Sequence, residues 1–281
     1  MLRQRVSIAR ESSPDCMTYS PNGEFFAVGF SKDRWGCAKV WKVDKETGLL
    51  RFFANINCTT HGPNNITSCM AFHPNNSNLL TCGSDGTVKL WRVIHDNCYI
   101  GNTNINISHL TELSKAIRYV GSCAFSFDGK QVALGGYSKI VLIDSSTFAI
   151  MHTFVHSEWS VSIQCINYLP DGIHLASMYN YNIKIWNLSS GECEHTINVS
   201  DGINYQVLFS FACSIDGKTI AASSFNGIKV FDTDTWECVR NEFVDKTIQY
   251  FEWSSDGKIL GYLSGSTIHF CDSSYSSIGK C

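Results

Sequence analysis

The sequence predicts an all-β fold built from one short unit that is repeated along the chain, and three observations support this prediction. First, the stretch Leu79 to Trp91 (LLTCGSDGTVKLW) joins an apolar strand signature, a Gly-Ser-Asp-Gly turn and an alternating strand, so it predicts a hairpin. Second, weaker copies of this stretch recur along the whole chain. Third, the spacing between the copies is regular. These features are typical of a β-propeller, in which each unit forms one blade.

Each copy contains a turn between its first two strands, and these turns set the period of the repeat. The intervals between successive turns are 53, 53, 43, 45 and 40 residues, close to the roughly 40 to 45 residues of a four-stranded blade. In four copies the closing position of the third strand follows the turn glycine by 14 residues. The turns are Pro21-Asn22-Gly23, Pro74-Asn75-Asn76, Asp128-Gly129, Asp171-Gly172, Asp216-Gly217 and Asp256-Gly257.

The spacing predicts six four-stranded blades, with seven as the alternative. A seventh blade hidden between two turns would need an interval of about 80 residues, and no interval is that long. The segments before Gly23 and after Gly257 together make one further period. We therefore expect a single domain, residues 1–281, whose ring is closed by residues 1–9 as the outer strand of the blade formed by residues 248–272. Such closure removes an exposed sheet edge.

A recurrent residue pair closes the third strand of each unit. The pairs are Trp41-Lys42, Trp91-Arg92, Ile143-Asp144, Trp186-Asn187, Phe231-Asp232 and Cys271-Asp272. This pattern resembles the WD40-repeat family, whose blades end on a Trp-Asp pair after a turn aspartate, although no copy here keeps the full dipeptide. The resemblance implies a β-propeller that serves as a surface on which other macromolecules assemble.

Asp85 is the turn aspartate of the most regular copy and stands six residues before Trp91. Its short carboxylate is placed to accept hydrogen bonds from turn amides or from a histidine of a neighbouring loop, and His61 is the candidate donor. We therefore expect His61, Asp85 and Trp91 to form a structural turn network.

The composition favours a globular protein in a reducing compartment. With 281 residues, 44% of them hydrophobic, the chain is long enough to bury a large core. The net charge is −3 and the basic residues are dispersed, so no nucleic-acid surface is expected. The 13 cysteines include no C-x-x-C pair, which favours reduced thiols in the cytoplasm or the nucleus. No secretory signal or membrane insertion is expected, because no segment has the apolar length that either requires.

No residue pattern predicts catalysis, a cofactor or a metal site. No serine lies in a G-x-S-x-G motif, no glycine-rich loop precedes a helix, and the nine histidines show no metal-ligand spacing. Cys16, Cys69 and Cys165 share one position of the first strand. Equivalent positions on different blades are expected to be too far apart for a disulfide or a shared metal ion. We therefore predict core thiols, and a protein that is not an enzyme.

Aromatic side chains in the turns between the second and third strands are the candidate binding residues. Such turns prefer small polar residues, whereas large aromatic rings beside an arginine are typical of interface hot spots. The family resemblance implies that these turns open on one partner-binding face around the central channel. In the alternative interpretation, each ring folds back over its own blade. The residues are Arg34, Trp35, Tyr137, Tyr179, Tyr181 and Phe225.

Two functional classes follow from these observations. The first is a non-catalytic scaffold that binds a protein or peptide partner within a multi-subunit assembly. The alternative is a structural subunit of a coat-like or other large complex, whose ring is completed or braced by a strand from a partner. The loop excursion at residues 94–119 is either a surface decoration or a docking segment for a partner.

Overall fold

The computed structural model of the chain describes residues 14–32, 35–44, 50–57, 67–75, 78–93, 101–103, 119–156, 162–200, 210–224, 227–243, 248–253, 259–264, 267–272 and 277–280. These residues form 24 strands, grouped into six four-stranded antiparallel sheets. The all-β prediction is confirmed, and each of the six repeats in the sequence corresponds to one sheet. None of the described residues belongs to a helix with the length and hydrophobicity that crossing a bilayer requires.

The chain divides into two compact units, and the first, residues 1–162, contains three sheets. Sheet 1 consists of β1 (Pro14–Tyr19), β2 (Phe25–Lys32), β3 (Trp35–Val43) and β4 (Leu50–Asn57). Sheet 2 consists of β5 (Thr67–Phe72), β6 (Asn78–Gly83), β7 (Val88–Arg92) and β8 (Gly101–Thr103). Sheet 3 consists of β9 (Ser122–Phe125), β10 (Gln131–Gly135), β11 (Lys139–Asp144) and β12 (Ile150–Val155).

The second unit, residues 163–281, contains the other three sheets. Sheet 4 consists of β13 (Cys165–Tyr168), β14 (His174–Tyr179), β15 (Asn182–Asn187) and β16 (Cys193–Asn198). Sheet 5 consists of β17 (Phe211–Cys213), β18 (Thr219–Ser224), β19 (Gly227–Asp232) and β20 (Cys238–Phe243). Sheet 6 consists of β21 (Ile248–Trp253), β22 (Ile259–Ser264), β23 (Thr267–Asp272) and β24 (Ser277–Lys280). The single domain over residues 1–281 and the closed ring of six or seven blades concern the two units together, and they stay predictions.

The outer strand of sheet 6 differs from the one that the sequence predicts. Residues 1–9, expected beside β23, lie outside the described residues. In the structure β24 pairs with β23, and Phe270 lies opposite Gly279. This corrects the predicted neighbour of β23. The sequence missed β24 because Ser277–Lys280 is short and rich in small residues, so it carries no alternating apolar pattern.

In sheets 1, 3 and 5 the turn between the first and second strands is held by a serine and by an acidic or amide side chain two residues later. In sheet 3 the Ser126 hydroxyl donates to Asp128 Oδ1 over 2.7 Å, and the Gln131 N–H donates to the Ser126 oxygen over 3.0 Å. Gly129 in this turn has a φ of 74°, which favours glycine. Sheets 1 and 5 repeat the arrangement with Ser20–Asn22 and Ser214–Asp216.

In sheets 3, 4 and 5 the second residue of the closing pair caps the turn that leads to the fourth strand. Asp144 Oδ1 accepts the N–H groups of Ser146, at 3.0 Å, and Thr147, at 2.7 Å. Asn187 and Asp232 accept the corresponding N–H groups in sheets 4 and 5. In these three sheets an Asx side chain therefore serves the turn itself, and in sheets 3 and 5 it is present although the preceding residue is not tryptophan.

Hydrophobic cores lie between neighbouring sheets within each unit. Alternate side chains of a first strand point to the preceding and to the following sheet. The thiol of Cys16 donates to the carbonyl of Thr67 in the following sheet over 3.4 Å, and the thiol of Cys165 donates to the carbonyl of Phe211 over 3.5 Å. These two cysteines are thus contact residues between sheets.

Candidate functional site

Tyr137 lies in the turn between β10 and β11, as expected of a candidate binding residue. Its side chain is 50% exposed, and its ring stacks on that of Tyr119 with 4.7 Å between centroids and 25° between planes. Tyr119, at the end of the 94–119 excursion, was not among the predicted site residues, because it lies outside the repeat pattern. Tyr137 is therefore exposed on one face of its ring, and its other face stacks on the half-buried ring of Tyr119.

The loop that carries Tyr137 is held in place on both sides. Tyr137 forms an isolated antiparallel bridge with Ser162. Burial raises the pKa of the Tyr119 hydroxyl, while a hydrogen bond with the Ser162 side chain lowers it in part. Ser138, next in the turn, has a φ of 60°, a conformation that is costly for a residue with a side chain. The exposed ring therefore stands on a constrained turn, which reduces the entropy lost on binding.

Tyr179 and Tyr181 lie in the second unit, Tyr179 as the last residue of β14 and Tyr181 in the turn between β14 and β15. Both are half-buried, and Asn180 between them has a φ of 50°. Tyr181 packs against a core cluster that contains Ile183 and Ile197. Tyr181 therefore packs on the core between sheets 4 and 5.

The remaining predicted binding residues belong to the turns before β3 and β19. Arg34 and Phe225 lie outside the described residues, and Trp35 is described only as the first residue of β3. The convergence of all six residues on one face stays a prediction.

Asp85 and Trp91 both make the local contacts expected of a structural network. Asp85 Oδ1 accepts the backbone N–H of Thr87 over 3.0 Å and the Thr87 hydroxyl over 2.6 Å. Trp91 is 6% exposed, and its indole N–H donates to the hydroxyl of Thr81 over 2.8 Å. His61, the expected partner of Asp85, lies outside the described residues.

Three thiols converge between sheets 2 and 3. The sulfur atoms of Cys69, Cys82 and Cys123 all lie within 4.8 Å of one another. Cys69 and Cys82 are directly opposite each other on β5 and β6. Comparison of equivalent positions on different blades does not predict this cluster. Cys123 is offset by one residue from the position of Cys69, so its side chain points back to sheet 2 while that of Cys69 points forward to sheet 3.

A polar cluster lies on one face of sheet 4. His174 Nδ1 is 2.7 Å from Asp171 Oδ2, and His174 Nε2 is 2.8 Å from Glu194 Oε2. The Asn187 amide donates to the other oxygen of Glu194 over 2.8 Å. Partial burial lowers the pKa of His174, but the hydrogen bonds to the two carboxylates outweigh it, so the pKa is raised. Within the described part of the chain, the side-chain hydrogen bonds of this cluster end within sheet 4 and its first turn, which indicates a structural role.

Glu252 on β21 is a half-buried carboxyl in the second unit. Burial raises its pKa from 4.5 to about 7. The carboxyl also raises the pKa of the Cys165 thiol, although burial of the thiol is the larger cause. Glu252 is therefore a group whose charge is costly to the fold at neutral pH.

Comparison with known proteins identifies similar sequences. A family model described as "Nucleolar protein 10-like, N-terminal domain" matches residues 4–231. Apoptotic protease-activating factor 1 of Rattus norvegicus is 25% identical over 173 residues, which cover 58% of this chain and 13% of that protein. Periodic tryptophan protein 2 of Arabidopsis thaliana is 25% identical over 226 residues, covering 78% of this chain and 22% of that protein. WD repeat-containing protein 70 of Xenopus tropicalis is 28% identical over 163 residues, covering 54% and 23%. The chain thus spans less than a quarter of the length of these relatives.

Proposed function

The chain belongs to the nucleolar protein 10-like N-terminal domain family of β-propellers, and on this premise we propose that it is a non-catalytic scaffold that binds a protein or peptide partner. The resemblance to WD40-repeat proteins is thereby confirmed. The family description favours the nucleus, and the nucleolus within it, as the place where the partner is met. The partner belongs to a larger assembly, because rigid repeat surfaces serve as docking platforms for several chains.

The observation that carries this proposal is the exposed ring of Tyr137 on Tyr119. Tyrosine is enriched among the residues that dominate binding energies, since it offers a large contact area with few rotatable bonds. Tyr137 is exposed on one side and supported by stacking on the other. Such a ring can enter a pocket of the partner without first leaving a packed position. Arg34, Trp35, Tyr179 and Phe225 are proposed as further partner-binding residues.

The test compares two aromatic residues on opposite ends of sheet 3. Tyr137 lies in the turn between β10 and β11, and Phe127, 60% exposed, lies in the turn between β9 and β10. Partners captured from a native nuclear lysate by the parent chain are identified by mass spectrometry and then titrated against each variant. We expect Tyr137→Ala to weaken binding about thirtyfold, as for a hot spot of roughly 2 kcal/mol. Phe127→Ala should bind like the parent chain. Equal binding by both variants would argue against this surface.

The alternative function, a structural subunit braced by a partner strand, is favoured by β12. This strand is the outer one of sheet 3, and Met151 and Val155 on it are 51% and 60% exposed. An outer strand with exposed apolar side chains can accept a further strand. Under this alternative the chain expressed alone should aggregate, and Val155→Lys should restore its solubility. Under the scaffold proposal the chain expressed alone should be monomeric and soluble without this substitution.

A further inference from the structure

The three thiols between sheets 2 and 3 form a site with the chemistry of a metal centre. Their sulfur atoms lie within 4.8 Å of one another and come from three strands, β5, β6 and β9. Cys82 is fully buried, Cys69 is 8% exposed and Cys123 is half-buried. Apolar side chains pack around them, including Leu80 and Leu134. The ligand atoms are therefore gathered by the fold before any ion arrives.

We propose that Cys69, Cys82 and Cys123 form a trigonal binding site for one copper(I) ion. Bonds from a metal ion to thiolate sulfur are about 2.3 Å long. Three such bonds in a planar trigonal arrangement place the sulfur atoms about 4 Å apart. The observed separations therefore require only small shifts of the side chains. Cys69 and Cys82 are fixed by their cross-strand pairing, and Cys123 supplies the third bond from the neighbouring sheet.

The number and type of ligands favour copper(I) over zinc. Soft sulfur ligands select copper(I), zinc and iron–sulfur clusters. Structural zinc sites are almost always tetrahedral and need a fourth ligand. Among the described residues, the cluster brings together three ligand atoms, all of them sulfur. Of these metals, copper(I) is the one whose coordination is complete with three sulfur ligands.

Binding of copper(I) at this site displaces protons and transfers no electron. Each thiol that ionises to form a copper–sulfur bond releases one proton to water, so the affinity should rise with pH.

Copper(I) itself is the probe for this site. The full chain is titrated without oxygen with copper(I) in the presence of the chelator bathocuproine disulfonate, which reports the free ion. We expect one ion for each chain, with a copper–thiolate absorption in the ultraviolet. X-ray absorption spectroscopy of the unaltered chain should give three sulfur neighbours. Two or four sulfur neighbours would overturn the trigonal site.

Matched serine variants locate the ion. Cys123→Ser should bind copper(I) at least tenfold to a hundredfold more weakly, because loss of a ligand costs no less than loss of its supporting contacts. Cys165→Ser, on the first strand of sheet 4 and equally half-buried, should bind like the parent chain. Among the described cysteines, the exposed Cys193 and Cys238 are the adventitious competitors. Unchanged binding by Cys123→Ser, or loss of binding in Cys193→Ser and Cys238→Ser, would overturn the proposal. The X-ray absorption result decides the question even if Cys123→Ser does not fold.

Discussion

The indole of Trp91 donates its N–H to the buried hydroxyl of Thr81 over 2.8 Å, and thereby ties the third strand of sheet 2 to the second. Trp186 makes the same bond to Ser177 in sheet 4, also at 2.8 Å. In both sheets the donor is the closing tryptophan and the acceptor a buried hydroxyl of the preceding strand. In these two sheets the bond accounts for the hydroxyl residue on the second strand.

Trp91→Ala should lower the free energy of unfolding by roughly 3–5 kcal/mol, because it removes a large buried ring. Trp91→Phe keeps most of the ring and leaves the Thr81 hydroxyl without this donor, so the loss should be about 1–3 kcal/mol. Urea unfolding measures both values. Thr81→Val in the parent and in Trp91→Phe completes a double-mutant cycle. A coupling energy near zero would contradict the importance of this bond.

Tyr181→Ala and Tyr137→Ala should differ in their effect on stability. Tyr181 packs against the core of sheets 4 and 5, so its truncation should cost roughly 2–3 kcal/mol. Tyr137→Ala removes the stacking of the Tyr137 ring on Tyr119, which contributes about 1 kcal/mol to stability. Thermal and urea unfolding of the two variants give the comparison. Equal destabilisation would mean that Tyr137 also serves the fold, and would weaken its assignment to the binding surface.

Glu252→Gln should stabilise the protein at pH 8 and have little effect at pH 4.5. The folded state binds the proton of Glu252 more tightly than the unfolded state, since its pKa rises from 4.5 to about 7. The stability of the parent chain therefore falls as pH rises between these two values. Glutamine mimics the neutral carboxyl, so the variant should gain about 3 kcal/mol at pH 8. The exposed Glu237→Gln is the control, and a pH-independent gain would contradict the assignment.

His174→Gln should lower the melting temperature by roughly 1–3 °C at pH 6 and by less at pH 8.5. The folded state raises the pKa of His174, so the stability from its protonated ring is present below the unfolded pKa. That contribution is lost as pH rises through the folded pKa. Melting curves over this range give the measurement, with exposed His152→Gln as control. An equal effect at both pH values would show that the ring acts without its charge.

Local patterns made much of the fold predictable, whereas contacts between sheets were not. The turn residues around Asp128 and the burial of Trp91 follow from short-range spacing, because each depends on neighbours within the same hairpin. The meeting of Cys123 with Cys69 depends on a one-residue offset between strands of different sheets, which no local pattern reports. Tyr119 was missed because the excursion before it has no counterpart in the other units. Ser277–Lys280 was missed because its small residues do not alternate.

The hydrogen bonds that join neighbouring sheets have an evolutionary consequence. In the bonds of Cys16 to Thr67 and of Cys165 to Phe211, a side chain donates and a main-chain carbonyl accepts. Every amino acid offers that carbonyl. The accepting strand can therefore change its sequence without breaking the bond, while the donating position is restricted to small residues with a thiol or a hydroxyl. Because the bond depends on the side chain of one partner only, repeats whose sequences have diverged can still pack as neighbours in one chain.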